Sequence, residues 1–297
     1  MHAKHILTAL FLVLTLGSCK EYLDIRPMDK LTPEQAFSTE NNLRLYVNSF
    51  YSMLPTGPNI YQGDVMSDIT VPNNVPEYIS GRVSSQDVGG WSWGDLRNIN
   101  YFLANYDNPV IPREARDHYA GIARFFRAYF YYQMVKQYGD VPWYSRPLGI
   151  GDPELYRGRD PRTLVMDSVL ADIDFAIGHI DDTKDNSATQ VTRWVALALK
   201  SRICLFEGTF RKYHFNDTEG SLKETADRWL EEAMQAAEML IESGQYQLNS
   251  TGNPDRDYRA LFVSENPVSS EVLLAAVYNN SLKKWHNAAW WFNSATL

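Results

Sequence analysis

"ARFFRAYFYYQMVKQYGDVPWY", Ala123 to Tyr144, is the stretch on which the fold turns. Together with the ten residues before it, it carries apolar side chains at helical spacing: Tyr119, Ile122, Phe126, Phe130, Met134 and Tyr138 form one stripe. Phe125, Tyr129, Tyr132 and Val135 widen that stripe until little polar face remains. A helix from Arg113 to Tyr138 that is apolar nearly all round belongs in the middle of a helical protein, its tyrosines in the core. Gly139 supplies the C-terminal stop, and Pro142 prevents continuation.

The flanks extend the pattern. Downstream, Asp160-Pro161 opens a second helix, with Met166, Val169, Leu170, Ile173, Ile177 and Ile180 on one side and Asp167 and Asp174 on the other. Val191 to Phe206 is its expected antiparallel partner. Leu222 to Ser243 reads as one amphipathic helix, its stripe running from Leu222, Ala226, Trp229 and Leu230 through Ala233 and Ala237 to Leu240 and Ile241. Ser221 with Glu224 makes a capping box, and Gly244 ends the helix. "EVLLAAVY", Glu271 to Tyr278, fits a buried strand or a short helix equally. Upstream, Trp91 to Tyr106 is helical, with Leu96, Ile99, Phe102 and Leu103 on one face. Thr32-Pro33-Glu34-Gln35 starts a helix expected to run to about Leu54. Between these two lies a long loop, Pro55 to Gly90, rich in Pro, Gly, Asn and Ser; loops of that length are usually functional or disordered. The fold class is therefore mainly α: irregular tetratricopeptide-like helix pairs with long ligand-binding loops, since the helix starts do not follow the usual repeat period.

The N-terminus carries a different signal. Lys4 sits between His2 and His5, Ile6 to Leu16 is almost unbroken apolar sequence, and Gly17 and Ser18 precede Cys19. This is the layout of a secretory signal. The apolar run rises only about 16 Å as a helix, too short to span a bilayer. Leu16-Gly17-Ser18-Cys19 resembles a bacterial lipobox, which implies lipidation of Cys19 and cleavage before it, leaving an anchored protein. Residues 1–18 then form the signal peptide, 19–31 a lipidated tether and 32–297 one helical domain. Cys204, the other cysteine, lies in "ALALKSRICLF" and reads as a buried structural thiol with no disulfide partner.

Composition narrows the chemistry. A 44% hydrophobic and 22% charged chain is globular. A net charge of −8 argues against general nucleic-acid binding. No Gly-rich phosphate loop, HExxH, CxxC or G-x-S-x-G motif occurs, the histidines are scattered, and no cofactor is implied. His118 and His179 read as helix-surface residues, and Asp255 and Asp257 lack the rest of a calcium signature, so no metal site is expected. Aromatic residues make up 13% of the chain, enough to supply a binding surface as well as a core. Trp91 and Trp93 stand where the long loop meets a helix. On extended backbone they point opposite ways, leaving one to face a ligand. Asp68, Arg82 and Asn98 are polar neighbours in sequence, and Trp290, Trp291 and Phe292 form a second aromatic cluster. The competing reading makes both pairs of tryptophans core anchors.

Several phrases together resemble the SusD/RagB family of outer-membrane nutrient-binding lipoproteins. They are "SCKEYLDIRP", "LTPEQAFSTENNLRLYVNSFY", "WSWGDLRNINYFLANYDN", the opening stretch, "PRTLVMDSVLADIDFAIGHI" and "RWVALALKSRICLFEGTFR", in the family's order. The resemblance implies tetratricopeptide-like helix pairs under a loop-rich ligand face. It also implies ligand aromatics in the region of Trp91 and Trp93 and a non-enzymatic role. That role is capturing glycans, or in some branches peptides, as a lid on a SusC-type TonB-dependent transporter. Lys20-Glu21 resembles the acidic signal that sends such lipoproteins to the outer leaflet. Family members usually continue for some two hundred further residues, whereas this chain stops in "WHNAAWWFNSATL", so a truncated or split gene product is expected. Two other classes compete: a lipid-anchored glycoside hydrolase and a helical scaffold with no small ligand.

Overall fold

A computed structural model describes residues 33–57, 59, 63, 81, 89–214 and 221–287. Among them the regular structure is helical, with two isolated β-bridges, Val141 to Asp160 and Asn279 to Lys284. The helices are α1 (Pro33–Ala36), α2 (Glu40–Asn48), α3 (Gly94–Asn105), α4 (Arg113–Tyr138), α5 (Arg162–His179), α6 (Arg193–Tyr213), α7 (Ser221–Glu224), α8 (Ala226–Glu242) and α9 (Pro254–Val263).

Helix α4 is the axis of the molecule. Its ends follow local chemistry. Pro112 precedes the first turn, and Gly139 closes the last at φ +69°, donating its N–H to the Val135 carbonyl. Phe125, Phe126, Tyr131, Tyr132 and Val135 are all buried. Each large apolar side chain removed from water contributes about 1.5–3 kcal/mol. Helices α2 and α3 pack on one part of α4 through Phe37, Phe50, Phe102 and Phe126, whose rings meet edge-on or tilted at 5.8 to 6.0 Å.

Helix α5 runs antiparallel to α4. Asp140, just past the end of α4, accepts the Arg162 N–H at the start of α5, while Gly121 near the other end meets Ile180. A Cβ on Gly121 would stand 2.8 Å from Ile180 Cγ1, so the close approach requires glycine. Helices α5 and α6 are antiparallel in turn: Arg162 reaches Glu207, and Lys200 bridges Asp174 on α5 and Glu232 on α8. Gly208 lets α8 approach α6, since a Cβ there would meet Leu230 at 2.8 Å. The stack α4, α5, α6, α8 thus forms the expected tetratricopeptide-like helix pairs. Cys204 lies buried between them, and burial pushes its thiol up to about 12.

Three expectations need correction. The helix from Pro33 to Leu54 is broken at residues 37–39. Ser38 Oγ and the Asn42 amide both bond to the Gln35 carbonyl, and Thr39 Oγ1 caps α2 by accepting the Asn42 N–H. Short polar side chains here offer the backbone a better partner than the helical ladder. A 3₁₀ turn, Ser49–Met53, then ends the segment. The helix from Leu222 to Ser243 is likewise interrupted at Thr225. Its hydroxyl donates to the Leu222 carbonyl and accepts from Arg211 of α6, so a tertiary contact sets the break. At the far end Ile241 is exposed, because no described element covers it. Finally, Glu271 to Tyr278 is neither strand nor helix. Its backbone is tied to other segments instead, with the Ala275 N–H donating to the Ala188 carbonyl and Tyr278 Oη accepting the Gly57 N–H.

Candidate ligand-binding site

A cleft of about 610 Å³ opens where the start of α3 meets the segment between α4 and α5. Its aromatic walls are Trp91, Trp93 and Tyr144, and four arginines line it: Arg97, Arg146, Arg157 and Arg159.

The tryptophans are placed by a latch onto the end of α4. Tyr138 Oη and Gln137 Nε2 both donate to the Gly89 carbonyl. Gly90 takes φ +91°, and Ser92 N–H turns back to the Gly90 carbonyl at 2.7 Å. The backbone is therefore a tight turn and not extended. The condition under which the two rings would point opposite ways is not met: Trp91 and Trp93 meet edge to face, 5.1 Å apart, and both line the cleft. Their roles in packing differ. Trp93 is half-buried against Phe130, Tyr131 and Tyr144. Trp91 stays 44% exposed, with Tyr138 at its edge and the Arg159 guanidinium 5.0 Å from its ring centre.

The opposite wall is held by a buried polar chain. Asp172 of α5 receives two hydrogen bonds from Arg127 of α4, at 2.6 and 2.7 Å. Arg127 also donates to Asn100 Oδ1 at 3.2 Å, and the Asn100 amide donates to the carbonyls of Tyr144 and Arg146. Tyr144 N–H donates to Tyr131 Oη at 2.6 Å, a second tie to α4. A charge pair in the core thus fixes the backbone that presents Tyr144 and Arg146. Farther out, Arg146 pairs with Asp152 and Glu154, and Arg157 with Asp160. The Arg146 hydrogen bond, followed by the Glu154 N–H, holds the Asp152 carboxyl below the usual carboxylate range. Arg97 donates to the Leu148 carbonyl, and Arg159 makes only long contacts to the Tyr138 and Asp140 carbonyls.

Of the residues singled out in the sequence, Trp91 and Trp93 are brought together. Asn98 does not line this cleft: its amide is engaged by Tyr46 Oη and Ser49 Oγ on the α2 side. Cys19, Asp68, Arg82, Trp290, Trp291 and Phe292 lie outside the described residues. Tyr144 and the four arginines were missed. In the sequence, "YGDVPWY" signals a helix stop and carries part of the family resemblance, but its Pro and aromatics also mark a segment able to carry a site. Among the described residues no three His, Cys, Asp or Glu side chains are placed to hold a metal, and no helix is long and apolar enough to cross a membrane.

Stacked antiparallel helix pairs with a cleft built from the segments between them define a helical-repeat scaffold. More narrowly, the chain belongs to the SusD-like family: the family model described as "Starch-binding associating with outer membrane" matches residues 21–205. SusD-like protein P25 of Formosa agariphila is 26% identical over 232 residues, 70% of this chain and 44% of the relative. A SusD-like protein of Bacteroides fragilis superposes with a TM-score of 0.65 at 22% identity, over 85% of this chain and 47% of that one. A second structure from the same species, a SusD-like carbohydrate-binding protein, gives 0.56 at 15% identity, over 71% and 42% of the two chains. The mainly helical fold is shared with both. The chain spans about half the length of the relatives it matches.

Proposed function

We propose that this protein captures an oligosaccharide in the cleft of Trp91, Trp93 and Tyr144 and passes it to a SusC-type TonB-dependent transporter, without chemical turnover. The observation that carries the reading is the exposed Trp91 ring at the mouth of a cleft with polar, hydrogen-bonding rims. Sugars offer apolar C–H faces and polar edges, and flat aromatics beside fixed donors complement both. The family's description and the carbohydrate-binding relative support the same ligand class. In this reading Cys19 carries the lipid that holds the protein on the outer membrane at the cell surface, and residues 32–297 act as one helical domain. Asp68, Arg82, Trp290 and Trp291 then extend the ligand face.

Calorimetric titration of a glycan panel against the wild type and Trp91→Ala tests the capture. Loss of one stacking ring is expected to cost about 0.5–1.5 kcal/mol, a several-fold weakening. Peptide binding with no glycan binding would replace the ligand class, and measurable glycan turnover would replace capture by hydrolysis. Cys19→Ala is expected to release the protein from membranes and abolish lipid labelling. Membrane attachment that survives this change would remove the anchor from the proposal.

A further inference from the structure

Among the described residues, the lining of the cleft is charged in one sense only: Arg97, Arg146, Arg157 and Arg159 contribute to it and no described Asp or Glu does, in a chain whose net charge is −8. The described acidic partners of these arginines are not part of the lining. Asp152 and Glu154 hold Arg146, and Asp160 holds Arg157 while also accepting the Trp143 N–H at 2.6 Å. Those carboxylates orient two of the guanidinium groups. Arg97 and Arg159 have no carboxylate partner among the described residues; both are exposed, bonded only to backbone carbonyls. Arg159 additionally lies over Trp91, so a positive charge sits beside the exposed aromatic ring.

We infer that the cleft selects acidic saccharides, those bearing carboxylate or sulfate groups, over neutral ones. A sugar ring against Trp91 would bring an anionic substituent within reach of Arg159, and a neighbouring residue's substituent within reach of Arg97. Guanidinium groups match both anions through paired, charge-assisted hydrogen bonds. The carbonyls they now touch leave donors over, since each guanidinium carries five. The inference rests on the glycan-capture reading of the same cleft and specifies its ligand.

The test is a glycan array that carries acidic oligosaccharides beside their neutralised counterparts, uronates beside their methyl esters and sulfated chains beside desulfated ones. Hits are followed by titration at two salt concentrations. The wild type is expected to favour the charged member of at least one pair by about tenfold, with affinity falling as salt rises. Whichever pair responds identifies the anion. Arg159→Gln and Arg97→Gln, checked by thermal melts, are each expected to shrink that preference while retaining binding of the neutral member. Equal binding of charged and neutralised members across the array would overturn the inference and leave glycan capture standing. A preference unaltered in two folded variants would overturn it as well. Binding of no glycan at all would overturn the capture reading itself, and this inference with it.

Discussion

Arginine is used in opposite ways in the two halves of this molecule. Between the helices, Arg127 is buried with two hydrogen bonds to buried Asp172, and Arg162 and Arg211 converge on Glu207, which is fully buried. Around the cleft, Arg97 and Arg159 are exposed and meet no carboxylate among the described residues. A guanidinium taken out of water needs an anion within bonding distance, because an unpaired buried charge costs several kcal/mol. At the rim, water does that work and leaves the donors open to exchange. The difference teaches that burial, not residue type, decides whether a charge is part of the scaffold or part of a surface offered to a ligand. The two regions are linked through Asn100, which joins the Arg127 pair to the backbone of Tyr144 and Arg146.

The contrast is broken most forcefully at Asp172. Asp172→Ala strands Arg127 in the core and is expected to lower stability by about 3–5 kcal/mol in urea unfolding. Because Asn100 then loses its fixed donor, the Tyr144 wall is expected to loosen too, with faster amide exchange at residues 144–146. A loss below about 1 kcal/mol would show that the pair is not what holds the two helices together.

Trp93 tests the boundary between scaffold and rim. As a half-buried ring packed on Phe130 and Tyr131, its replacement by Ala is expected to cost about 2 kcal/mol, roughly half the value for full burial. Smaller again is the alkaline effect of Cys204. Its thiol is raised from 9.0 to about 12 by burial, so the folded state holds the proton more tightly than the unfolded chain does. That contribution is whole below pH 9 and is lost as pH rises towards 12. Relative to Cys204→Ala, the wild type is expected to lose about 1 kcal/mol between pH 8 and pH 10 in paired unfolding curves. The least effect on stability belongs to Trp91→Ala, under about 0.5 kcal/mol, as for surface positions away from the core. An equal destabilisation by the two tryptophan variants would erase the distinction between them.

Much of the scaffold was legible in the chain because its signals are local. The stop of α4 is written in Gly139, and its stripe repeats at helical period. The interruptions at residues 37–39 and at Thr225 were not. The first depends on side chains finding the Gln35 carbonyl once Phe37 is buried, and the second on Arg211 arriving from another helix. The site was half legible. Trp91 and Trp93 stand out, but the sequence does not tell whether their backbone is extended, and the contacts of Tyr138 and Gln137 with Gly89 impose a turn. Asn98 was chosen for being near in sequence. Two residues on, about 200° round the helix, Asn100 points to the cleft side and Asn98 to α2.

By itself, then, the amino-acid sequence determined the helical class, the axis helix, the buried thiol of Cys204 and the family, because periodicity, caps and motif order are properties of neighbouring residues. Only the tertiary structure decided which arginines are neutralised, that two tryptophans share one cleft, and that Tyr144 faces them. Those facts depend on distances between segments some fifty residues apart, such as Gly89 to Tyr138 and Arg127 to Asp172. Packing sets such distances, and no local pattern records them.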